Sequence, residues 1–215
     1  YGSRSLVVGG MAIVKACEKI VEKAQALAAH QLEVDVRDVE FAAGRFSVLG
    51  SAEQGKSIQE LAFASFVAHD LPAGADPILT ADAVMDPDTF SVPHGNHLAH
   101  VEVDTETGKV DLKQYVAVND VGKVVNPLVV DGQIHGGVVQ GISQALFEEA
   151  VYDDDGNLTS GTFVDYLLPT SADLPFITTD RTETPSTTNP RGVEGVGETG
   201  TIASPWASSV APGPR

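Results

Sequence analysis

The spacing of apolar side chains predicts two helices in the first third of the chain. From Met11 to Ala29, apolar residues recur every three or four positions, with lysine and glutamate between them. Cys17 falls on this apolar stripe, which predicts a small core residue rather than a nucleophile. Ser57 is expected to start the second helix, because Glu60 stands three residues later and completes a capping box.

Shorter alternating patterns predict two hairpins and a third helix, so the fold class expected is α+β. No regular alternation of strands with helices is apparent, and this argues against a parallel α/β sheet. The chain from Leu158 onward is expected to be extended and rich in loops. The predicted hairpins pair residues 39–41 with 45–48 and residues 98–103 with 110–118, and the predicted helix covers 129–149.

Composition excludes several classes of function. The 215 residues are 42% hydrophobic and 20% charged, which is enough apolar sequence to bury a core. A net charge of −17 argues against a nucleic-acid partner, since phosphate binding needs clustered lysine and arginine. The lone Cys17 excludes an internal disulfide and any cysteine-only metal cluster. Without an apolar run of membrane-spanning length or an export signal, we expect a cytoplasmic protein with no membrane span.

Both ends of the sequence indicate a piece of a longer protein. The chain starts at Tyr1 without a methionine, and its last residues, 211–215, are rich in proline. We therefore expect residues 1–215 to be one portion of a larger domain, truncated at both ends.

Four glycines within ten residues mark the third predicted helix as unusual. Glycine costs about 1 kcal/mol relative to alanine in a helix, so Gly132, Gly136, Gly137 and Gly141 need a compensating interaction. One interpretation is close packing against another element. The other is that a bulky ligand approaches the backbone, with the amide of Gln133 at its edge.

A second glycine-rich segment, residues 190–200, ends in a loop, residues 195–200, that presents one carboxylate, Glu198. Residues 195–200 fit the pattern GxGxxG, but no strand is predicted before them, so the dinucleotide-binding motif lacks its context. Glu198 is a candidate general base if the loop buries it, because burial tunes the pKa of a carboxyl group. The alternative is an ordinary solvated glutamate.

Three histidines at three-residue spacing invite a metal-binding interpretation. His97 and His100 fall in a predicted strand, which would direct their side chains to opposite faces. His94 follows a proline at a chain break. We therefore predict no metal site formed by these histidines.

Four stretches of the chain resemble the large subunit of the xanthine dehydrogenase and aldehyde oxidase family, and most closely its aerobic carbon monoxide dehydrogenase branch. They occur in the order expected for the family. They are residues 1–5 (YGSRS), residues 119–137 (NDVGKVVNP followed by GQIHGG), residues 163–169 (FVDYLLP) and residues 195–198 (GVGE).

The resemblance implies a role for each of these motifs. Glu198 would lie beside molybdenum and act as the catalytic base. The cofactor would be molybdopterin cytosine dinucleotide, and the approach of this cofactor would account for the glycine-rich helix. The residues expected to line the cofactor are Gly2, Ser3, Arg4, Ser5, Gln133, Gly195, Val196 and Gly197.

The activity implied is oxidation of an aldehyde, a heterocycle or carbon monoxide, with water as the oxygen source. Partner subunits would carry 2Fe-2S clusters and FAD: an iron–sulfur small subunit and an FAD-binding medium subunit, in a dimer of heterotrimers. Carbon monoxide chemistry with copper would require a cysteine in an upstream loop. A non-catalytic fragment that only packs within a larger assembly is the alternative from another class.

The sequence departs from the family pattern in three places. Glu194 stands where the family usually has a basic residue, and it adds a negative charge near Glu198. The amphipathic helix expected after residues 201–204 is replaced by a proline-rich ending. The larger N-terminal portion of the subunit is not in this sequence.

Overall fold

The computed structural model describes residues 2–209, which form two compact units of mixed helix and sheet. One unit contains residues 8–86, and the other combines residues 2–7 with residues 87–209. Tyr1 and the proline-rich residues 211–215, which figured in the sequence predictions, lie outside the described residues. That residues 1–215 are one truncated portion of a single domain stays a prediction.

The unit of residues 8–86 packs two helices against a small antiparallel sheet. A π-helical segment, Ser5–Gly10, runs into its long helix, and the strands are paired in the order β1-β2-β3. The elements are α1 (Met11–Leu32), a 3₁₀ turn (Val36–Asp38), β1 (Val39–Ala42), β2 (Arg45–Val48), β3 (Ser51–Ser57) and α2 (Ile58–Val67).

Local signals account for most of this unit. Ala43 and Gly44 both have positive φ, 47° and 77°, which gives the two-residue turn that matches the twist of a β1–β2 hairpin. At the start of α2, the Ser57 hydroxyl accepts from the Glu60 amide, and the Glu60 carboxylate accepts from the Ser57 amide at 2.7 Å. The predicted hairpin and capping box are both confirmed.

The prediction for Cys17 is wrong, because its side chain is exposed. Beyond this position, the fully buried residues of α1 begin only at Ala24, where the helix packs with Phe46 of β2 and Leu61 of α2. The apolar stripe was identified correctly, but only its C-terminal half is covered within this unit. The strand β3 was not predicted, since its residues, SAEQGKS, are polar and have no apolar alternation.

The second unit contains a three-stranded sheet with the order β4-β5-β6 and two helices. Strands β4 and β5 pair antiparallel, as the predicted hairpin requires, whereas β5 and β6 pair parallel. The elements are β4 (His94–Val103), β5 (Val110–Asp120), α3 (Pro127–Leu146), β6 (Ile177–Thr182) and α4 (Thr199–Ser209).

The parallel pairing of β5 with β6 was not predicted from the sequence. Since α3 lies between β5 and β6 in the chain, these elements form one βαβ connection, although no strand–helix alternation was predicted. The helix buries Ile134, Val138 and Ile142 against Tyr115 and Ala117 of β5. The α+β class still describes the fold, because the rest of both sheets is antiparallel.

Helix α4 also corrects the sequence analysis, which predicted extended chain here and no helix after residues 201–204. Its close packing against α3 explains why it forms: a side chain on Gly200 would lie 2.4 Å from the carbonyl oxygen of Ile134. Pro205 cannot donate to the carbonyl of Thr201, but the Ser204 hydroxyl donates to that oxygen at 3.4 Å. Among residues 2–209, no helix combines the length and apolar character that crossing a membrane requires.

Candidate functional site

Two cavities in the second unit share a wall formed by Ser3 and Gly195. The first cavity, of about 450 Å³, also contains Ser5, Gln133, Val196 and Gly197. Its other lining residues are Leu6, Val121, Lys123, Val125, Asn126, Val129, Val130 and Glu194. The second cavity, of about 350 Å³, is lined by Gly2, Ser3, Phe90, Ser91, Val92, Pro93, Gly195, Glu198, Thr199 and Ile202.

The shared wall depends on two glycines that leave room for Ser3. A Cβ on Gly195 would lie 2.5 Å from the Cβ of Ser3, and one on Gly197 would lie 2.8 Å from the Ser3 hydroxyl oxygen. Gly2 and Ser3 both have positive φ, 67° and 49°, so the start of the chain turns sharply into this contact. Gly195 and Gly197 of the GVGE motif therefore leave the space that the Ser3 side chain occupies.

Glu198 faces the second cavity from a position just before α4. Its Oε1 accepts a hydrogen bond from the backbone amide of Gly2 at 3.3 Å. The apolar side chains of Phe90, Val92 and Ile202 form part of the surrounding wall. Glu198 is exposed in the described chain, which differs from the buried carboxylate considered from sequence, because it ends a turn at the mouth of the cavity.

The four glycines of α3 divide between the two interpretations that the sequence left open. Gly137 and Gly141 pack against α4, where added side chains would lie 2.9 Å from Gly200 and 1.8 Å from the Ser204 hydroxyl. Gly132 and Gly136 have nothing within 4 Å of an added Cβ, and Gln133 between them lines the first cavity. Close packing therefore explains Gly137 and Gly141. Gly132 and Gly136 instead leave an open helix face, as the ligand interpretation requires.

Two of the predicted cofactor residues do not line the first cavity. Gly2 lines the second cavity, where it also binds Glu198. The guanidinium of Arg4 lies 5.7 Å from the ring centroid of Phe90, a residue of the second cavity. The structure therefore places Gly2 beside Glu198 and the Arg4 guanidinium over Phe90, while Ser3, Ser5, Gln133, Gly195, Val196 and Gly197 surround the first cavity.

Asp120 fixes the turn from which Val121 and Lys123 reach the first cavity. Its carboxylate accepts hydrogen bonds from the Gly122 amide at 3.1 Å and from the amide and hydroxyl of Thr184 at 2.9 and 2.7 Å. The Thr182 hydroxyl adds another bond at 2.7 Å. Burial alone would raise the pKa of Asp120, but these hydrogen bonds outweigh it and hold the pKa well below its ordinary value.

Glu194 is a wall residue of the first cavity whose place the sequence did not show. Burial raises the pKa of its carboxyl group, and the charge of Asp120 raises it further, while His94 and Ser186 act in the opposite sense. One carboxyl oxygen, Oε2, is buried and has no hydrogen-bond partner in the described chain. Its departure from the family pattern was the only sequence signal for this residue.

The three histidines at residues 94–100 lie along β4 and do not converge. His97 points inward and bonds the Tyr115 hydroxyl at 2.9 Å and the Asn119 side chain at 3.2 Å, whereas His100 is exposed on the other face. Within residues 2–209, no three His, Cys, Asp or Glu side chains are grouped closely enough to hold a metal ion.

The third motif of the resemblance, residues 163–169, lines neither cavity. It is held by the Tyr166 hydroxyl, which donates to Glu148 beyond the end of α3 at 2.7 Å. Phe163 and Val164 are 86% and 92% exposed, so this segment presents apolar side chains outward.

Comparison with known proteins identifies the family of this chain. The sequence profile described as "Molybdopterin cofactor-binding domain" matches residues 1–175. The chain belongs to this family. The chain is also 39% identical over 204 residues to the carbon monoxide dehydrogenase large chain of Hydrogenophaga pseudoflava, covering 95% of this chain and 25% of that protein. The resemblance and the fold class predicted from sequence are both confirmed.

Two further relatives extend this similarity over the cavities. The nicotine 6-hydroxylase large subunit of Paenarthrobacter nicotinovorans is 39% identical over 207 residues, covering 96% of this chain and 25% of that subunit. The crystal structure of a carbon monoxide-reduced Cu,Mo-CO dehydrogenase superposes with a TM-score of 0.89 at 37% identity, covering 98% of this chain and 26% of that one. The chain thus spans about a quarter of the length of the relatives that it matches.

Proposed function

We propose that this chain is part of the molybdenum-cofactor-binding large subunit of an oxidoreductase that hydroxylates or oxidises a small molecule, with water as the oxygen source. The observation that carries the proposal is the shared wall of Ser3 and Gly195. These two residues line both a cavity with the side chains of Asn126 and Gln133 and a cavity that contains one carboxylate, Glu198.

The first cavity fits the pterin part of such a cofactor. Its volume lies within the range of about 300–1,000 Å³ that is usual for small-ligand sites. The side chains of Ser3, Ser5, Asn126 and Gln133 line it and bring hydroxyl and amide groups that both donate and accept hydrogen bonds, as the edge of a pterin requires. We assign molybdopterin cytosine dinucleotide as this cofactor. Bound here, it would supply two-electron oxidation chemistry.

In this proposal, Ser3, Ser5, Gln133, Gly195, Val196 and Gly197 hold the cofactor, and Arg4 and Gly2 support its edge near Phe90. Gly195 and Gly197 keep Ser3 in place, so the loop that carries Glu198 has a fixed position relative to the first cavity. The Gly2 amide holds one oxygen of Glu198, which leaves Oε2 available to the second cavity. Glu198 is then the catalytic base, and accepts a proton at that oxygen as the substrate is oxidised.

The substrate would occupy the second cavity. Its wall contains Phe90, Val92, Pro93 and Ile202, which favour an uncharged molecule with apolar surface, such as an aldehyde or a heterocycle. Carbon monoxide with a molybdenum–copper centre is the second candidate, favoured by the similarity to the carbon monoxide dehydrogenase chain and structure. Copper content and carbon monoxide-dependent dye reduction by the complete enzyme distinguish the two.

The relatives named above are large chains or subunits, and this supports a multisubunit assembly. We propose an iron–sulfur small subunit and an FAD-binding medium subunit as partners, in a dimer of heterotrimers. A cytoplasmic location belongs to the same proposal.

Replacing Glu198 by glutamine in the complete, cofactor-loaded assembly tests the assignment of the base. Glutamine keeps the shape of the side chain but cannot accept the proton, so kcat should fall by about 10²–10⁴-fold with an unchanged molybdenum content. Glu149→Gln, at an exposed glutamate after α3, is the matched control and should keep full turnover. Near-normal turnover of the Glu198→Gln enzyme would show that the base lies elsewhere. An assembly that binds molybdenum but never turns over any substrate class would favour a non-catalytic, packing role.

A further inference from the structure

A small chamber of mixed polar and apolar lining adjoins the cavity of Glu198, between β4, β5 and α4. It measures about 70 Å³ and has Pro93, Thr199 and Ile202 in common with that cavity. Its remaining walls come from β4, β5 and α4, and they are His94, Gly95, His97, Asn119 and Ala203. We call this space the Asn119 chamber.

Asn119 leaves one end of its amide without a partner. The residue is 1% exposed, and its oxygen lies 3.2 Å from the Nε2 of His97. Its nitrogen is buried and has no hydrogen-bond partner in the described chain. Turning the amide over would pair the nitrogen with His97 and leave the oxygen unpaired instead. A buried polar group without a partner costs stability. In either orientation of the Asn119 amide, one of its polar atoms lacks a hydrogen-bond partner.

A glycine provides the room beside this amide. Gly95 is the ladder partner of Asn119, and a Cβ there would lie 2.4 Å from the Asn119 oxygen. A cavity needs about 10–15 Å³ of open space to hold a water molecule, so the chamber has room for water. It is too small for a pterin or a substrate ring.

We propose that the Asn119 chamber holds one or two ordered water molecules, bound by the Asn119 amide, which connect the cavity of Glu198 with the His94 ring. Water both donates and accepts, and therefore satisfies the amide in either orientation. His94 lines the chamber and is exposed, so it is the end of the connection that faces away from the core.

The role of this connection rests on the proposed function of Glu198. A base that accepts a proton in each turnover has to release it before the next one. In the proposed path, the Glu198 carboxyl group gives its proton to the first water, which releases another of its protons to a ring nitrogen of His94. The exposed ring then passes a proton to the solvent. Along the chain of waters, one O–H bond forms for each one that breaks, and no group is oxidised or reduced.

The titratable groups around the path are consistent with this direction. His97 on β4 stays neutral near pH 7, because burial lowers its pKa, although its bond to Asn119 acts in the opposite sense. Asp120 on β5 stays ionised, and Glu194 has a raised pKa beside it. Tyr115 on β5 bonds His97, and burial raises the pKa of the Tyr115 hydroxyl to about 12, so this group stays protonated.

A crystal structure of the complete assembly tests the water site independently of activity. We expect electron density for a water oxygen within about 3.2 Å of the Asn119 amide, inside the chamber. An empty chamber, or one filled by a side chain from another part of the assembly, would overturn the proposal.

Variants of the complete enzyme test the connection. Asn119→Leu fills the chamber with apolar atoms, and we expect kcat to fall about tenfold or more, with a larger solvent deuterium isotope effect. KM and molybdenum content should be unchanged. Asn96→Leu, at an exposed position of the neighbouring strand β4, should leave all of these values as in the wild type.

His94→Leu tests the outer end of the path without disturbing the core, and it decides the question if Asn119→Leu fails to fold. It should give the same rise in the isotope effect. Wild-type kcat and isotope effect in a folded variant of either kind would refute a proton path. If Glu198→Gln kept full turnover, the proposed function of Glu198 would fail, whereas the density in the chamber would still decide whether water binds there.

Discussion

Each of the two units is stabilised internally by a different kind of contact. In residues 8–86, the start of α2 is set by near neighbours in sequence, through the capping bonds between Ser57 and Glu60, although Lys19 and Lys23 also bond the carbonyls of Asp82 and Thr80. In the other unit, the site depends on contacts such as that between Gly2 and Glu198, which stand 196 positions apart. A long-range contact can be lost when either distant segment shifts, so the second unit should be the more sensitive to single substitutions.

The largest effect on stability is expected at the contact between α3 and α4. A methyl group on Gly200 would lie 2.4 Å from the Ile134 carbonyl oxygen and 2.9 Å from the Val138 amide nitrogen, both of them backbone atoms. Gly200→Ala should therefore lower the free energy of unfolding by about 2–3 kcal/mol, measured by urea denaturation.

Gly132→Ala provides the matched control on α3. Nothing lies within 4 Å of the added methyl group, so removing the conformational freedom of glycine should raise the free energy of unfolding by about 0.5–1 kcal/mol. Equal effects of the two substitutions would contradict the assignment of Gly200 to a tight helix contact.

An intermediate effect is expected at Asp120, which joins the ends of β5 and β6. Asp120→Asn removes the charge that accepts bonds from Thr182, Thr184 and Gly122, and should cost about 2 kcal/mol at pH 7. Because the pKa of Asp120 is lowered by folding, its stabilisation is full above the unfolded value of about 3.9 and is lost as pH falls below it.

Unfolding free energies measured from pH 7 to pH 2 test this account. The wild type should lose the contribution of Asp120 only below about pH 4, and the Asp120→Asn variant should show a flatter pH dependence there. Asp154→Asn, at an exposed aspartate in a turn, should follow the wild-type curve. A wild-type curve that is already parallel to that of Asp120→Asn below pH 4 would be evidence against the hydrogen-bonded carboxylate.

The smallest effect is expected in the unit of residues 8–86. Ser57→Ala removes the capping hydroxyl of α2 and should cost about 1 kcal/mol. A double-mutant cycle with Glu60→Gln should show coupling, since the two residues bond each other. A cost at Ser57 larger than that at Gly200 would reverse the comparison between the units.

The same contrast explains what the sequence could predict. The hairpin turn at Ala43 and Gly44 and the capping box at Ser57 depend on residues close in sequence, and both were predicted correctly. Helix α4 was missed because its stability depends on Gly200 fitting against α3, which no local pattern reveals. Strand β6 was missed because its parallel pairing with β5 is a long-range contact.

The residues of the candidate site likewise differ in whether the sequence could predict them. Gln133 and Glu198 were raised as candidates by the glycine-rich segments and assigned by the family resemblance. The structure places Gln133 in the first cavity with Ser3, Gly195, Val196 and Gly197, and Glu198 in the second. Glu194 was noted in the sequence only as a departure from the family pattern, and its burial depends on three-dimensional packing. The unpaired amide of Asn119 had no sequence signal.

Locating molybdenum in a crystal of the complete assembly, by its anomalous scattering, tests the central claim most directly. We predict that the pterin occupies the cavity of Gln133 and Ser5 and that the metal lies next to Ser3 and Gly195, within reach of the Glu198 carboxylate. A metal position remote from that wall, with Glu198 out of reach of the reacting atoms, would contradict it.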